Sequence, residues 1–230
     1  MNTIVQPNAM SMAVTRNATW GATIGQCARA AVALCLVTGL AYPLATTVVA
    51  KWVFPHRAEG SLIVKDGQVI GSSLIGQSFT GAGYFHGRPS VTTAPDPKDP
   101  SATISAPYNP ALAAASNQGV TSQALEAAAT ERAHDYRALN LLGAQDRVPV
   151  DAIAASASGL DPHISVANAD WQMERVARAR GLHETQVAEL VAAHTAPRDL
   201  WLLGEPRVNV LVLNIALDAL ASQAGNKNKE

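Results

Sequence analysis

Ala30-Ala31-Val32-Ala33-Leu34-Cys35-Leu36-Val37-Thr38-Gly39-Leu40-Ala41-Tyr42-Pro43-Leu44-Ala45-Thr46-Thr47-Val48-Val49-Ala50 is a run of twenty-one residues without a charge, closed by Arg29 and Lys51. About twenty apolar residues at 1.5 Å rise cross the roughly 30 Å hydrocarbon core of a bilayer. Trp52 and Phe54 follow directly and suit the lipid–water interface. A buried core helix would not need charges placed so cleanly at both ends. A signal sequence cut after Val48-Val49-Ala50 is the other reading, but signal cores usually run about 7–15 residues. The segment predicts one transmembrane helix over 29–51, after an N-terminal extension of 1–28.

The charges divide around this run. Before it stand Arg16 and Arg29 and no acid. From Lys51 onward there are fifteen basic and eighteen acidic residues, a net of −3. Nothing resembles the basic stripe that nucleic acid requires. The two cysteines, Cys27 and Cys35, lie in or beside the apolar run, so the rest of the chain has neither disulfide nor thiolate chemistry. Arg16 and Arg29 are balanced by Lys51, Arg57 and Lys65 beyond the run, and the positive-inside count sets no orientation. Cys27, Ala31, Cys35, Gly39 and Pro43 recur every four residues. Such small side chains let a second helix approach closely in lipid.

Residues 52–222 read as one globular domain, followed by a polar tail of 223–230. Ser61-Leu62-Ile63-Val64 and Gln68-Val69-Ile70 flank Lys65-Asp66-Gly67, a hairpin signal. Thr92 to Pro110 is rich in Pro, Ser and Thr and includes Pro95-Asp96-Pro97-Lys98-Asp99-Pro100. It is expected as a surface loop. Helices are expected from Gln123 to about Leu141 with Ser122 as cap, from after Ser165 to Gly181, and from about His183 to His194. The second should turn Trp171, Val176 and Ala179 towards the core and Arg175, Arg178 and Arg180 largely outward. Leu200 to Leu203 is expected as a strand. Val210, Leu213, Leu217 and Leu220 mark a last helix capped by Asn209. The fold class is therefore α+β: one N-terminal transmembrane helix followed by a single globular mixed α/β domain.

No GxSxG elbow, phosphate loop, HExxH or zinc-type Cys/His spacing occurs, so no catalytic residue and no metal ligand is assigned. Two segments stand out. Gly81-Ala82-Gly83-Tyr84-Phe85-His86-Gly87-Arg88-Pro89-Ser90 sets glycines around an aromatic pair, a His and an Arg; it reads as a tight turn whose aromatics fill the core or, second, as a recognition loop. Ser156-Ala157-Ser158-Gly159-Leu160-Asp161-Pro162-His163-Ile164-Ser165 feeds a helix N-terminus. Local hydrogen bonding, an anion held on free N–H groups, and a Ser158–His163 hydrolytic pair are its three readings, in that order.

Read in sequence, Tyr42-Pro43, Gly60-Ser61-Leu62-Ile63, Leu74-Ile75-Gly76-Gln77-Ser78-Phe79, Tyr84 to Ser90, Tyr108-Asn109-Pro110, Ser156 to Ser165, Gln172, Arg175-Val176-Ala177 and Val208-Asn209-Val210-Leu211 form a pattern. It resembles the C subunit of the bacterial Kdp-type potassium-transporting ATPase over about residues 29 to 220. The long start, Val212 in place of a frequent acid, Ala113-Ala114-Ala115 and the Asp96 to Ser101 insertion depart from it without touching the two long strings. The resemblance implies an essential, non-catalytic subunit of the inner membrane, its N-terminus cytoplasmic and its domain extracytoplasmic. The implied partners are a channel-like potassium-conducting subunit, a P-type ATP-hydrolysing subunit and lipid. It also implies a catalytic chaperone that raises the ATP affinity of the hydrolysing subunit, with ATP shared rather than firmly bound. Ser156, Ser158, Gly159, Asp161, His163, Gln172 and Arg175 then become candidates for nucleotide contact. Ala31, Cys35, Gly39, Tyr84, Phe85, His86 and Arg88 become candidates for the partner interface. A membrane-anchored ligand-binding module or hydrolase is the alternative.

Overall fold

The computed structural model describes residues 20–227; expectations for 1–19 and 228–230 lie outside the described residues. The chain divides into two units, Met1–Glu59 and Gly60–Glu230.

In the first unit, α1 (Trp20–Leu36), a π-helical turn (Val37–Ala41) and α2 (Tyr42–Val53) form one continuous helix. It begins nine residues before Arg29, inside the segment read as an extension. The helix is long and apolar enough to cross a membrane, and the share of its apolar window buried by the rest of the chain is 0%. The π turn sits just before Pro43. In a regular helix the proline ring clashes with the carbonyl four residues back, here that of Gly39. The wider turn, in which Tyr42 N–H reaches Val37 O, relieves this. Thr38 Oγ1 donates to Leu34 O, and Thr46 Oγ1 to Tyr42 O, so both hydroxyls are satisfied without water. A short helix, α3 (Pro55–Ala58), follows.

The second unit opens with β1 (Leu62–Lys65) and β2 (Gln68–Ser72), paired antiparallel across Asp66-Gly67. Both turn residues have positive φ, 51° and 78°, as a two-residue hairpin turn requires. The Pro-rich segment corrects the expectation of a plain loop: β3 (Thr93–Pro95) pairs antiparallel with β4 (Thr103–Ser105). This is possible because a two-stranded ribbon has no central strand for proline to break. Asp96 and Asp99 cap the turn between them by accepting from Lys98 N and Ser101 N.

Next come α4 (Gln123–Asn140), capped by Ser122, and the single turn α5 (Val150–Ile153). Then follow β5 (His163–Ser165), α6 (Val166–Arg180), α7 (Glu184–Ala193), β6 (Thr195–Ala196), β7 (Arg207–Asn209) and α8 (Val210–Lys227). The last helix enters the segment read as a tail; Asn209 Oδ1 accepts from Val212 N at its start. Strands β5, β7 and β6 form an antiparallel sheet with β7 central. Ile164, Val208, Ala169, Val176, Val187, Val191, Leu213 and Leu217 join Phe85 in one core. Fully burying Phe85 alone is worth about 1.5–3 kcal/mol.

Two further expectations are corrected. α6 buries Val176 as expected but is rotated from its expected setting: Ala169, Gln172 and Arg175 are also buried, while Trp171 and Ala179 are exposed. The pattern misleads because the inward face carries two long polar side chains. Leu200 to Leu203 is no strand but an exposed turn, with Leu200 and Trp201 at positive φ.

Candidate functional site

The Gly81–Ser90 string has no regular secondary structure, yet its backbone polar groups are paired by side chains. From α6, Gln172 Oε1 accepts from His86 N at 2.7 Å and Nε2 donates to His86 O at 3.1 Å. From α8, Asn214 does the same for Phe85, accepting its N–H and donating to its carbonyl, both at 2.9 Å. Arg175 Nη1 donates to Ala82 O and Tyr84 O, Nη2 to Gln172 Oε1 at 2.8 Å and Nε to Asn140 Oδ1 at 2.9 Å. Arg180 Nε donates to Gly83 O, the guanidinium stacks 4.4 Å from the Tyr84 ring centroid, and Nη1 pairs with Asp218 at 2.7 Å. Phe85 is thereby set into the core and Tyr84 against Phe79. Each amide acts as a two-point clamp that imitates a strand neighbour for one residue.

The second string packs directly against the first. Arg88 Nη1 pairs with Asp161 Oδ2 at 3.1 Å, Ser90 Oγ donates to Gly159 O at 2.8 Å, and Ser156 N donates to Pro89 O at 3.0 Å. Tyr108 bolts the junction: its hydroxyl donates to Arg88 O at 2.7 Å and its N–H to Ser90 Oγ. Burial raises the Tyr108 hydroxyl pKa to about 12, so it stays a donor at any physiological pH. Gly159, at φ 70°, fits where a side chain would meet Thr92 and the Ala114 carbonyl.

Asp161 also accepts from His163 N at 3.0 Å and lies 3.3 Å from His163 Nδ1. Burial works to raise the Asp161 pKa; the hydrogen bonds from His163 and Arg88 overcome this and hold it below 3.8. Arg88, Asp161, His163, Ser165 and Arg207 border a cleft of about 410 Å³. Arg88 Nε, behind this lining, is buried without an acceptor among the described residues.

The cap of α6 is tied down. Asp151 Oδ2 accepts from Ser165 N at 2.7 Å and from Asn168 Nδ2 at 3.0 Å, and Oδ1 accepts from Ser165 Oγ. Ser165 Oγ in turn accepts from Asn168 N, so one first-turn N–H is capped by the chain itself. Ser158 Oγ meets Ser156 Oγ and Leu160 N, while His163 meets Asp161; among the described contacts no hydrogen bond joins Ser158 to His163. No cluster of metal-ligating side chains occurs among the described residues.

The sequence candidates are thus gathered unevenly. Asp161, His163 and Arg88 share the cleft, while Ser158 is exposed and does not line it. Ser156 and Gly159 are buried in the loop junction, and Gln172 and Arg175 are buried on the clamp. Phe85 is core; Tyr84 and His86 are partly covered, and burial lowers the His86 pKa. Ala31, Cys35 and Gly39 are exposed on the apolar helix. In a 3.6-residue helix a four-residue spacing drifts about 40° per step. The wider π turn removes most of that drift where it matters, so Cys35, Gly39 and Pro43 share one face.

A protein-family model described as "K+-transporting ATPase, c chain" (KdpC) matches residues 24–219. The chain belongs to the KdpC family. A potassium-transporting ATPase KdpC subunit of Rhodopseudomonas palustris (strain BisB18) is 57% identical over 187 residues, covering 81% of this chain and 92% of the relative. The KdpC subunit of Methylorubrum extorquens is 55% identical over 193 residues, 84% and 94% of the two chains. That of Bradyrhizobium diazoefficiens is 55% identical over 190 residues, 83% and 93%. In this KdpC chain the first motif string is held mainly by side chains of α6 and α8, and its last three residues, Arg88 to Ser90, pack on the second string.

Asn214, Asp151 and Asn140 escaped the sequence reading, and Tyr108 entered it only as part of the family pattern, with no role assigned. Asn214 had a signal: it is the one amide inside the apolar run Leu211-Val212-Leu213-Asn214-Ile215, and a polar residue there must find a buried partner. Asp151 had none, since its target lies fourteen residues on.

Proposed function

We propose that this protein is the membrane-anchored, non-catalytic accessory subunit of an ATP-driven potassium uptake complex of the inner membrane. It assembles with a potassium-conducting and an ATP-hydrolysing subunit, its N-terminus cytoplasmic and its domain extracytoplasmic. The observation that carries the reading is the helix Trp20–Val53, none of whose apolar window is covered by its own chain. An apolar surface of that size needs lipid or protein around it. The shared face of Cys35, Gly39 and Pro43 supplies the side on which a second helix can close in.

The rest of the reading concerns ATP. Raising the ATP affinity of the hydrolysing subunit is assigned to docking of this chain and not to a phosphate site of its own. Ser165 Oγ caps Asn168 N at the α6 terminus and Asp151 holds Ser165, while Gln172 and Arg175 are engaged inside the fold. What remains for contact is the Arg88–Asp161–His163 cleft.

The test is affinity purification from membranes through a tag on this chain, followed by ATP titration of the purified complex. The potassium-conducting and ATP-hydrolysing subunits are expected to co-elute. Complex lacking this chain should need more ATP for half-maximal hydrolysis. Elution of the tagged chain alone from intact, mildly solubilised membranes would reject the reading.

A further inference from the structure

Residues 197–206 connect β6 to β7 and carry Leu200-Trp201-Leu202-Leu203, four consecutive apolar residues. Leu200 is 82% exposed, Trp201 95% and Leu202 76%. The shape of this tip is built. Asp199 and Leu203 exchange two backbone hydrogen bonds of 2.8 Å. Leu200 and Trp201 hold φ of 51° and 66°, a conformation that side-chain-bearing residues keep only when their surroundings impose it. Arg198 pairs with Glu205 at 2.6 Å, and Arg207 with Asp199 at 3.0 Å, both across the neck. A mere solvated connection needs neither the clamp nor the leucines.

Charge and reach indicate what covers the tip. The two arginines beside it are each matched by an acid of the same loop, so it offers no net charge to a partner. It offers an indole and three leucines, the composition of segments that sit at the lipid–water boundary. Six residues, 54–59, join the apolar helix to the domain at Gly60, and fully extended they span at most about 20 Å. Within the domain, Ser73 N donates to Ser61 O and Asn209 Nδ2 donates to Ser73 O. One end of β7 therefore adjoins the point where the chain enters the domain. The tip leaves from the other end of this three-residue strand, about 10 Å further. Chain connectivity thus keeps a bilayer within reach of the tip in every molecule. Tethering of this kind strongly raises effective concentration.

We propose that the tip formed by Leu200, Trp201, Leu202 and Leu203 dips into the lipid–water interface and holds the domain on the bilayer as a second, reversible anchor. This rests on the membrane span of the function proposed above and not on its potassium complex.

The test uses the full chain with Leu202→Cys in a Cys27→Ala, Cys35→Ala background, labelled with an environment-sensitive fluorophore. It is reconstituted without other subunits into phosphatidylcholine vesicles. A second protein carries the label at Lys98→Cys, on the β3–β4 turn. Flotation with the vesicles reports the span separately. The Leu202 label should emit to the blue of the Lys98 label and lose intensity with brominated lipid. Neither effect should depend on salt or on added anionic lipid. Trp201→Asp should return the Leu202 label to a water-like spectrum while flotation persists. A Leu202 label that matches the Lys98 label in floated vesicles overturns the proposal. So does one that shifts only after the other subunits are added, which assigns the tip to protein contact instead.

Discussion

Replacing Arg175 by alanine removes the donor that ties α6 to both the Gly81–Ser90 loop and α4. Four oxygens lose a hydrogen bond: Ala82 O, Tyr84 O, Asn140 Oδ1 and Gln172 Oε1. Gln172 Oε1 keeps His86 N as a donor, so three are left without this partner. A buried acceptor stranded in this way costs about 1–3 kcal/mol; Asn140 Oδ1 is fully buried, while Ala82 O and Tyr84 O are only partly covered. The low end applies, because the vacated space admits water and a desolvated guanidinium is no longer carried. The expected loss is about 3–4 kcal/mol, large against a total of about 5–15 kcal/mol. At about 2–4 °C per kcal/mol for a domain of this size, the unfolding midpoint should fall by roughly 10 °C. Arg175→Lys keeps the charge but not the fork that reaches α4 and the loop together, and should fall between. The assay is thermal unfolding of the full chain in detergent by near-ultraviolet circular dichroism, with hydrogen exchange at residues 82–86. Those amides should lose protection first. A loss below about 1 kcal/mol, with normal exchange in the loop, would refute the clamp. If that same protein lowered the ATP affinity of the purified complex, Arg175 would belong to a nucleotide site after all.

Gly159→Ala should cost more than about 2 kcal/mol, since φ is 70° and the new methyl would stand 2.5 Å from Thr92 Cγ2 and 2.9 Å from Ala114 O; Gly119→Ala, with nothing within 4 Å, should stay within about 0.5 kcal/mol. Denaturant midpoints of the two variants check this. The Asp161 carboxyl has its folded pKa depressed, so its contribution is present above the unfolded value near 3.8 and is lost as the pH falls through the folded one. Unfolding free energy measured between about pH 2 and 5 should therefore decline less steeply for Asp161→Asn than for the unaltered chain. Gly39→Leu should weaken co-purification with the other subunits while Leu36→Ala matters less. A Cβ on Gly39 would meet no described residue within 4 Å beyond its chain neighbours and its own helix backbone, and leucine is the better helix former, so a loss cannot come from the helix itself. A C-terminal alkaline phosphatase fusion should be active and a green fluorescent fusion dark; the reverse pattern would place the domain in the cytoplasm.

The elements readable in the sequence were those set by local chemistry. Asp66-Gly67 imposes its turn on two short apolar flanks. Ser122, Ser165 and Asn209 cap helices within three residues of themselves, and Gly181 ends one at φ 65°. The charge-free run from Ala30 to Ala50 needs no context to be read. What stayed hidden depends on partners far along the chain. Gln172 and Arg175 face inward because the Gly81–Ser90 loop, some ninety residues earlier, lacks a strand to pair its backbone. Trp171, expected inward, lost that place to them. The Ser156–Ser165 string makes the local hydrogen bonds that were its first reading, but its contacts with Arg88, Pro89 and Ser90, some seventy residues earlier, could not be read locally. A short apolar run alone suggested a strand at Leu200 to Leu203, and nothing local announced the two ion pairs that bend it into a tip.

The central claim is that this chain supports potassium uptake as a structural member of its complex. Growth at limiting potassium tests it most directly, in a strain without other uptake systems whose own copy is deleted. Plasmid-borne full-length chain should restore growth. The Ser158→Ala form should restore it as well, and Gly39→Leu should do so poorly. Normal growth of the deletion strain with no plasmid, or failure of Ser158→Ala alone, would contradict the account.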